Sequence, residues 1–279
     1  MSFAEDVRGA ARRNRSWVCV GLDTVLARIP RPMLHEGDPA FAFNKLIINA
    51  TKDLVCCYKA NSACYEALGT KGLETLERTI EYAHHEARVP FILDNKRGDV
   101  GHTAELYAKA AFEVLGADAC TVSPYMGADA VEPFLRHAGK GVFVLARTSN
   151  PTAPEVQGLE SGGKKVYEHV VARALDWDRG RGQVGLVAGA TNTVELAHVR
   201  KLAGENTLLL VPGVGAQGGE AAATIKAGAN RAGENALIHS SRAIIFAGTT
   251  EHDVGPRARD ECKKLRDELT VGASKLPSL

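Results

Sequence analysis

Residues 91–107 read FILDNKRGDVGHTAELY, and the reading of this stretch decides the fold. Phe91, Ile92 and Leu93 begin an apolar strand that becomes charged abruptly at Asp94. Side chains on a strand alternate faces, so Asp94 and Lys96 share one face and Asn95 takes the other. Arg97, Gly98 and Asp99 then turn the chain, and Thr103 is placed to cap a following helix. Two carboxylates thus flank an ammonium at the mouth of a buried strand. A solvated turn carrying charges has the same local pattern. The strand before it and the helix after it favour a candidate active site, because strand ends in α/β folds are where sites form.

Working outward, the same alternation of strand and helix recurs. A short helix is expected over 3–13, then apolar strands over 17–22, 54–58, 119–122, 141–146, 184–188, 207–211 and 236–239. Helical spacing of apolar residues appears over 41–52, 73–87, 165–177, 193–202 and 256–269, with Gly116 closing the helix after the central strand. No composition break divides the chain, so residues 1–279 are expected to form one domain, a single (β/α)8 TIM barrel. A doubly wound open sheet is the runner-up. The barrel is favoured by its polar residues: Asp23, Lys59, Asp94 with Lys96, Ser123, Ser149 and Arg242 all fall at C-terminal strand ends, which converge on one mouth. Residues 151–163 carry Pro151, Pro154, Gly158, Gly162 and Gly163 and suit a lid loop.

The composition narrows the class. A 45% hydrophobic content suits a soluble protein with an adequate core, and a formal net charge of +1 leaves no broad basic field for nucleic acid. The N-terminus lacks the apolar run of a signal peptide, and no stretch is long enough to span a membrane. Cys19, Cys56, Cys57 and Cys120 sit in apolar runs as reduced thiols would, which points to the cytoplasm. His84 and His85, like the other histidines, show no metal-ligand spacing.

A second chemical signal lies at residues 211–219, VPGVGAQGG, between an apolar strand and a helix. Gly213, Gly215 and Gly218 formally match a dinucleotide fingerprint, but the βαβ context behind it is missing. A tight turn without a ligand remains open. The alternative is a phosphate cradle of backbone N–H groups, and barrels often place one after strands seven and eight. The last strand delivers Ser240, Ser241 and Arg242, whose guanidinium can grip a phosphate with two hydrogen bonds. Two anion-binding elements at adjacent strand ends favour a monophosphate site.

The run DNKRGDVGHTA, with PGVGAQGG and LARTSNP, resembles the signature of orotidine 5'-phosphate decarboxylase in its longer bacterial-type branch, and the similarity extends over 18–247. The resemblance implies that Lys59, Asp94, Lys96 and Asp99 form the charged catalytic array. It implies substrate contacts from Asp23 and Lys59 at the ribose, from Ser149 at the pyrimidine edge, and from Pro212, Gly213, Gln217 and Arg242 at the phosphate, with Ser241 beside the arginine as a further candidate. Asn61 and Thr103 join the candidate substrate-binding set. Many relatives carry glycine immediately before the arginine, where this chain has Ser241. The implied reaction converts orotidine 5'-monophosphate to uridine 5'-monophosphate and CO2 with no cofactor and no metal, Lys96 giving its proton to C6. The implied assembly is a homodimer with shared sites, Asp99 reaching into the neighbouring subunit.

Rival readings are a Schiff-base aldolase using Lys59 or Lys96, a magnesium-dependent sugar-phosphate decarboxylase of the 3-keto-gulonate 6-phosphate type, and a non-catalytic phosphate-binding module. Flanking carboxylates disfavour the neutral amine that a Schiff base needs. The context GDVGHTA and Ser149 favour the orotidine branch, and a mere binding module has little use for so dense a charge array.

Overall fold

A computed structural model describes residues 2–215 and 220–274. Eight parallel strands close into a barrel: β1 Val18–Gly21, β2 Cys57–Asn61, β3 Phe91–Arg97, β4 Ala119–Val122, β5 Gly141–Arg147, β6 Val184–Ala188, β7 Leu209–Pro212 and β8 Ala236–Ser240. Each strand pairs with its sequence neighbours, and β1 closes the circle on β8. The expected (β/α)8 barrel is the fold, and the open sheet is excluded.

Strand alternation sorts the core into two clusters. Val18, Val20, Tyr58, Ala60, Phe91, Leu93, Cys120 and Val122 pack with the surrounding helices. The residues between them, including Cys19, Cys57, Ile92, Ala119, Phe143, Leu210 and Leu237, fill the barrel interior. The helix Phe3–Asn14 plugs the N-terminal end of that interior with Phe3, Val7 and Ala11. It is started by a capping box between Ser2 and Glu5. Phe3 N donates to Gly139 O at 2.8 Å. Its ring meets Phe143 edge-on at 5.8 Å. A Cβ at Gly141 would lie 2.4 Å from the Phe3 ring, so the start of β5 is glycine to admit the plug. With the lower end filled, the barrel interior opens at the C-terminal mouth.

The long C-terminal helix Val254–Ala273 buries Val254, Ala258, Cys262, Leu265 and Leu269, the stripe its periodicity predicts. Three local expectations are corrected. The second strand is Cys57–Asn61 and not 54–58, because Leu54 and Val55 are buried in the turn that leads into it. The helix after β3 begins at Gly101, with Val100 in the cap position making no side-chain cap; Thr103 lies exposed within its first turn. Residues 151–163 are not a bare loop. They contain the short helix Pro154–Gln157 and the strand Glu160–Ser161, which pairs with Lys164–Lys165. Among the described residues no helix is long and apolar enough to cross a membrane.

Because Phe3 closes the barrel far from its mouth, Phe3→Ala should lower stability by about 3–4 kcal/mol through the cavity it leaves. Urea denaturation would measure this. The geometry of the candidate site should be unchanged in the folded fraction, since that site is expected at the opposite end of the barrel.

Candidate active site

The mouth is built from strand ends whose inward faces carry charge. On β2, Cys57 faces the interior and Lys59, two residues on, does the same one layer higher. Its neighbour β3 pairs Asn61 with Asp94, which brings the Lys59 ammonium beside the Asp94 carboxylate. Lys59 Nζ donates to Asp94 Oδ2 at 2.9 Å and lies 3.5 Å from Asp23 Oδ1. Lys96 Nζ donates to the other Asp94 oxygen at 2.6 Å. Asp23, just past β1, also accepts a hydrogen bond from Asn61 N at 2.9 Å.

Thr121 completes the array and was not anticipated. Its hydroxyl donates to Asp94 Oδ1 at 2.8 Å and accepts from Lys96 N at 2.9 Å. Lys96 adopts a left-handed backbone, φ 45°, where the pairing of β3 with β4 shifts register. That conformation costs a non-glycine residue about 1–2 kcal/mol, and the Thr121 and Asp94 bonds hold it. Strand alternation places Thr121 on the inner face of β4, so a search of inward polar positions would have found it. Asn95 points to the opposite face, as its place in the strand predicts, and its buried Oδ1 has no partner among the described residues.

Burial favours neutral carboxyls, yet the ammonium groups outweigh it. For Asp94, Lys59 and then Lys96 hold the carboxyl well below its ordinary range. Asp23 is lowered against the same burial, chiefly by Lys59. Burial alone would make Lys59 easier to deprotonate, but Asp23 and Asp94 overcome that and raise its pKa. His239, inward on β8, is pushed the other way. Burial, reinforced by the Lys59 ammonium, takes it down to about 3, so it is a neutral imidazole near neutral pH.

The phosphate-loop candidates face this array across the mouth. Pro212 ends β7, and Gly213 and Gly215 take left-handed backbones, φ 106° and 79°, which glycine adopts without strain. Gln217 and Gly218 lie outside the described residues. Arg242 opens the short helix Arg242–Ile245 directly after β8. Gly21 admits the neighbouring pair: a Cβ there would lie 2.4 Å from His239 Nε2 and 2.7 Å from Ser241 Cβ.

One cavity of about 510 Å³ gathers these groups. Asp23, Lys59, Asn61, Asp94 and Lys96 form one wall, and Ser149, Pro212, Gly213, Ser241 and Arg242 the other. Thr148, Asn150, Gln157 and His239 also line it and were not singled out from the sequence. Asp99 and Thr103 do not. Asp99 is half-buried and accepts from the amide of its own neighbour Val100 at 2.8 Å, and Thr103 is exposed on the adjoining helix.

Residues 16–254 match the model of the orotidine 5'-phosphate decarboxylase / HUMPS family. The chain belongs to this family. An orotidine 5'-phosphate decarboxylase of Ralstonia pickettii is 47% identical over 96% of the chain and 98% of that protein. One from Azoarcus sp. is 47% identical over 97% of the chain and 99% of its own length. The solved OMP decarboxylase of Leishmania donovani superposes with a TM-score of 0.85 at 36% identity, covering 98% of this chain and all of that one. A structure described as a putative orotidine-monophosphate decarboxylase, from Toxoplasma gondii, gives 0.89 at 33%, covering 98% of this chain and 97% of its own. As an orotidine 5'-phosphate decarboxylase by family, the chain is a carboxy-lyase.

The charged array has a defined acid limit. The Asp94 carboxyl is lowered in the fold relative to about 3.9 in the unfolded chain, so its stabilisation is complete above about pH 4 and fades as pH falls through the folded value. Asp94→Asn should cost about 3 kcal/mol at pH 7, the penalty for breaking a buried pair. Urea titrations at pH 7 and pH 3 should show the gap between parent and variant narrowing by about 1 kcal/mol at the lower pH.

Proposed function

We propose that the chain converts orotidine 5'-monophosphate to uridine 5'-monophosphate and CO2 without a cofactor, Lys96 delivering the proton to C6. The observation that carries this reading is the Asp94 carboxylate bonded to two ammonium groups at the cavity floor. Loss of CO2 leaves an electron pair at C6 with no adjacent carbonyl to accept it. A fixed positive charge beside C6 stabilises that pair, and the same ammonium can then give it a proton. Lys96 is suited to both roles because its strained backbone and its bond to Asp94 aim it before substrate arrives.

In this reading Arg242 and the turn at Gly213 bind the phosphate, Asp23 and Lys59 the ribose, and Ser149 the pyrimidine edge. Gripping the phosphate far from C6 supplies binding energy for placing the carboxylate next to Asp94. The raised pKa of Lys59 argues against the neutral amine of an aldolase. The magnesium-dependent sugar-phosphate reading is disfavoured by the donor set, since Asp94 spends both oxygens on lysines and a hydroxyl.

The outward position of Asp99 and Thr103 supports a homodimer with shared sites. Exposed apolar residues flank them: Val100, Leu106 and Tyr107 on one side, Tyr125 and Met126 in the loop after β4. A patch of this kind beside a charged loop suits a two-fold contact. Six free cysteines, five of them buried, suit a reducing cytoplasm.

Incubation of the protein with orotidine 5'-monophosphate in EDTA should show loss of the substrate's ultraviolet absorbance and release of CO2. Lys96→Ala should lower kcat by at least about a hundredfold, the usual span of general-acid catalysis. No turnover by folded parent protein would sink the assignment, and activity that returned only with magnesium would favour the sugar-phosphate relatives.

Subunit mixing tests the shared site. When inactive Lys96→Ala and Asp99→Ala chains exchange, half the dimers are mixed, and each mixed dimer holds one intact site if Asp99 serves its neighbour. About a quarter of all sites should then recover. No recovery after proven exchange would place Asp99 in its own chain's site.

A further inference from the structure

Ser149 is boxed in on one side by glycine. A Cβ at Gly189 would fall 2.7–2.8 Å from Ser149 Cα, Cβ and N, and Gly189 N donates to Arg147 O at 2.7 Å. The constraint on the other side comes from the lid segment. Gln157, the last residue of the helix Pro154–Gln157, is half-buried and lines the same cavity. Its Oε1 accepts from Thr148 N at 2.9 Å, and its Nε2 donates to Thr148 Oγ1 at 2.8 Å. That hydroxyl donates onward to Asn150 Oδ1 at 2.7 Å. The backbone amide can only donate, so the orientation of the glutamine is settled by its partner.

The lid segment is tied at its base as well. Glu195 accepts from Arg147 Nε at 2.7 Å, at the end of β5, and from Lys165 Nζ at 3.2 Å, just beyond the lid. Arg147 also donates to Thr148 O at 2.6 Å. Residues 148–150 are therefore gripped from the strand, from the next strand's glycine and from the lid. The lid's share of that grip comes through one side chain with a donor and an acceptor on a single rigid amide.

We infer that Gln157 is a positioning residue for recognition of the nucleobase: it holds Thr148 so that Ser149 meets the pyrimidine edge, and it makes base affinity depend on the lid. The inference rests on the reading above that Ser149 faces the base. A residue that merely stabilised the lid would affect every ligand of the cavity alike. One that positions Ser149 affects only ligands that carry a base.

The test compares uridine 5'-monophosphate with ribose 5-phosphate, which shares the sugar and phosphate but has no base, by calorimetric or competitive Kd. Gln157→Ala should weaken the nucleotide about tenfold, the equivalent of two ordinary hydrogen bonds, and leave ribose 5-phosphate unchanged. Gln157→Glu, which still accepts from Thr148 N, should recover part of the loss. Thr148→Val, which removes only the hydroxyl end, should give a smaller loss of the same selectivity and serves if Gln157→Ala does not fold. Equal weakening of both ligands, or of neither, would overturn the inference. A parent protein that bound the nucleotide no better than ribose 5-phosphate would instead count against the proposed function.

Discussion

The site depends on one carboxylate. Asp94 accepts hydrogen bonds from Lys59, Lys96 and Thr121, and through these it sets where both ammonium groups stand. Removing charges from water is costly, and a lone buried lysine would shed its proton. Here two carboxylates, Asp23 and Asp94, face two lysines, Lys59 and Lys96, so opposite charges offset one another across the array. This arrangement fixes positive charge at the cavity floor. It also explains why Lys96 tolerates a backbone conformation that its side chain disfavours.

The barrel separates stability from chemistry along its axis. At the lower end the N-terminal helix drives Phe3 into the interior beside Phe143, and thiols and aliphatic side chains fill the layers above. Those layers carry no charge. Polar side chains enter only where the strands run out, and there they come from separate strands: Lys59 from β2, Asp94 and Lys96 from β3, Thr121 from β4, His239 from β8. The rigid sheet below holds these ends at fixed spacing, which suits a reaction driven by preorganised charge.

Around this floor the chain adds contacts of a softer kind. Ser149 follows the end of β5, where Gln157 holds Thr148 and Glu195 ties Arg147 to Lys165. Gly21 shows how far packing reaches. Its lack of a side chain is what lets His239 and Ser241 approach the end of β1. The neutral His239 adds no positive charge beside Lys59, so the balance of the array is left undisturbed.

Much of this was legible in the chain itself. The alternation of apolar strands with helical stripes, with polar residues at the strand ends, favoured a barrel over an open sheet, and residues 91–97 placed Asp94 and Lys96 on a common face because strand side chains repeat every two residues. The last helix was read to the correct buried face for the same reason of period. What the linear sequence could not decide were relations between strands. Thr121 lies 27 residues from Asp94; alternation gives its inward face but not its partner, and only the register between β3 and β4 brings the two within 2.8 Å. His239 and Gly21 meet only when β8 closes on β1. The start of β2 was misplaced because an apolar run records burial and not backbone direction, and Leu54 and Val55 are buried in a turn. Sequence determined which residues carry charge and which face they take; closure of the barrel decided which of them touch.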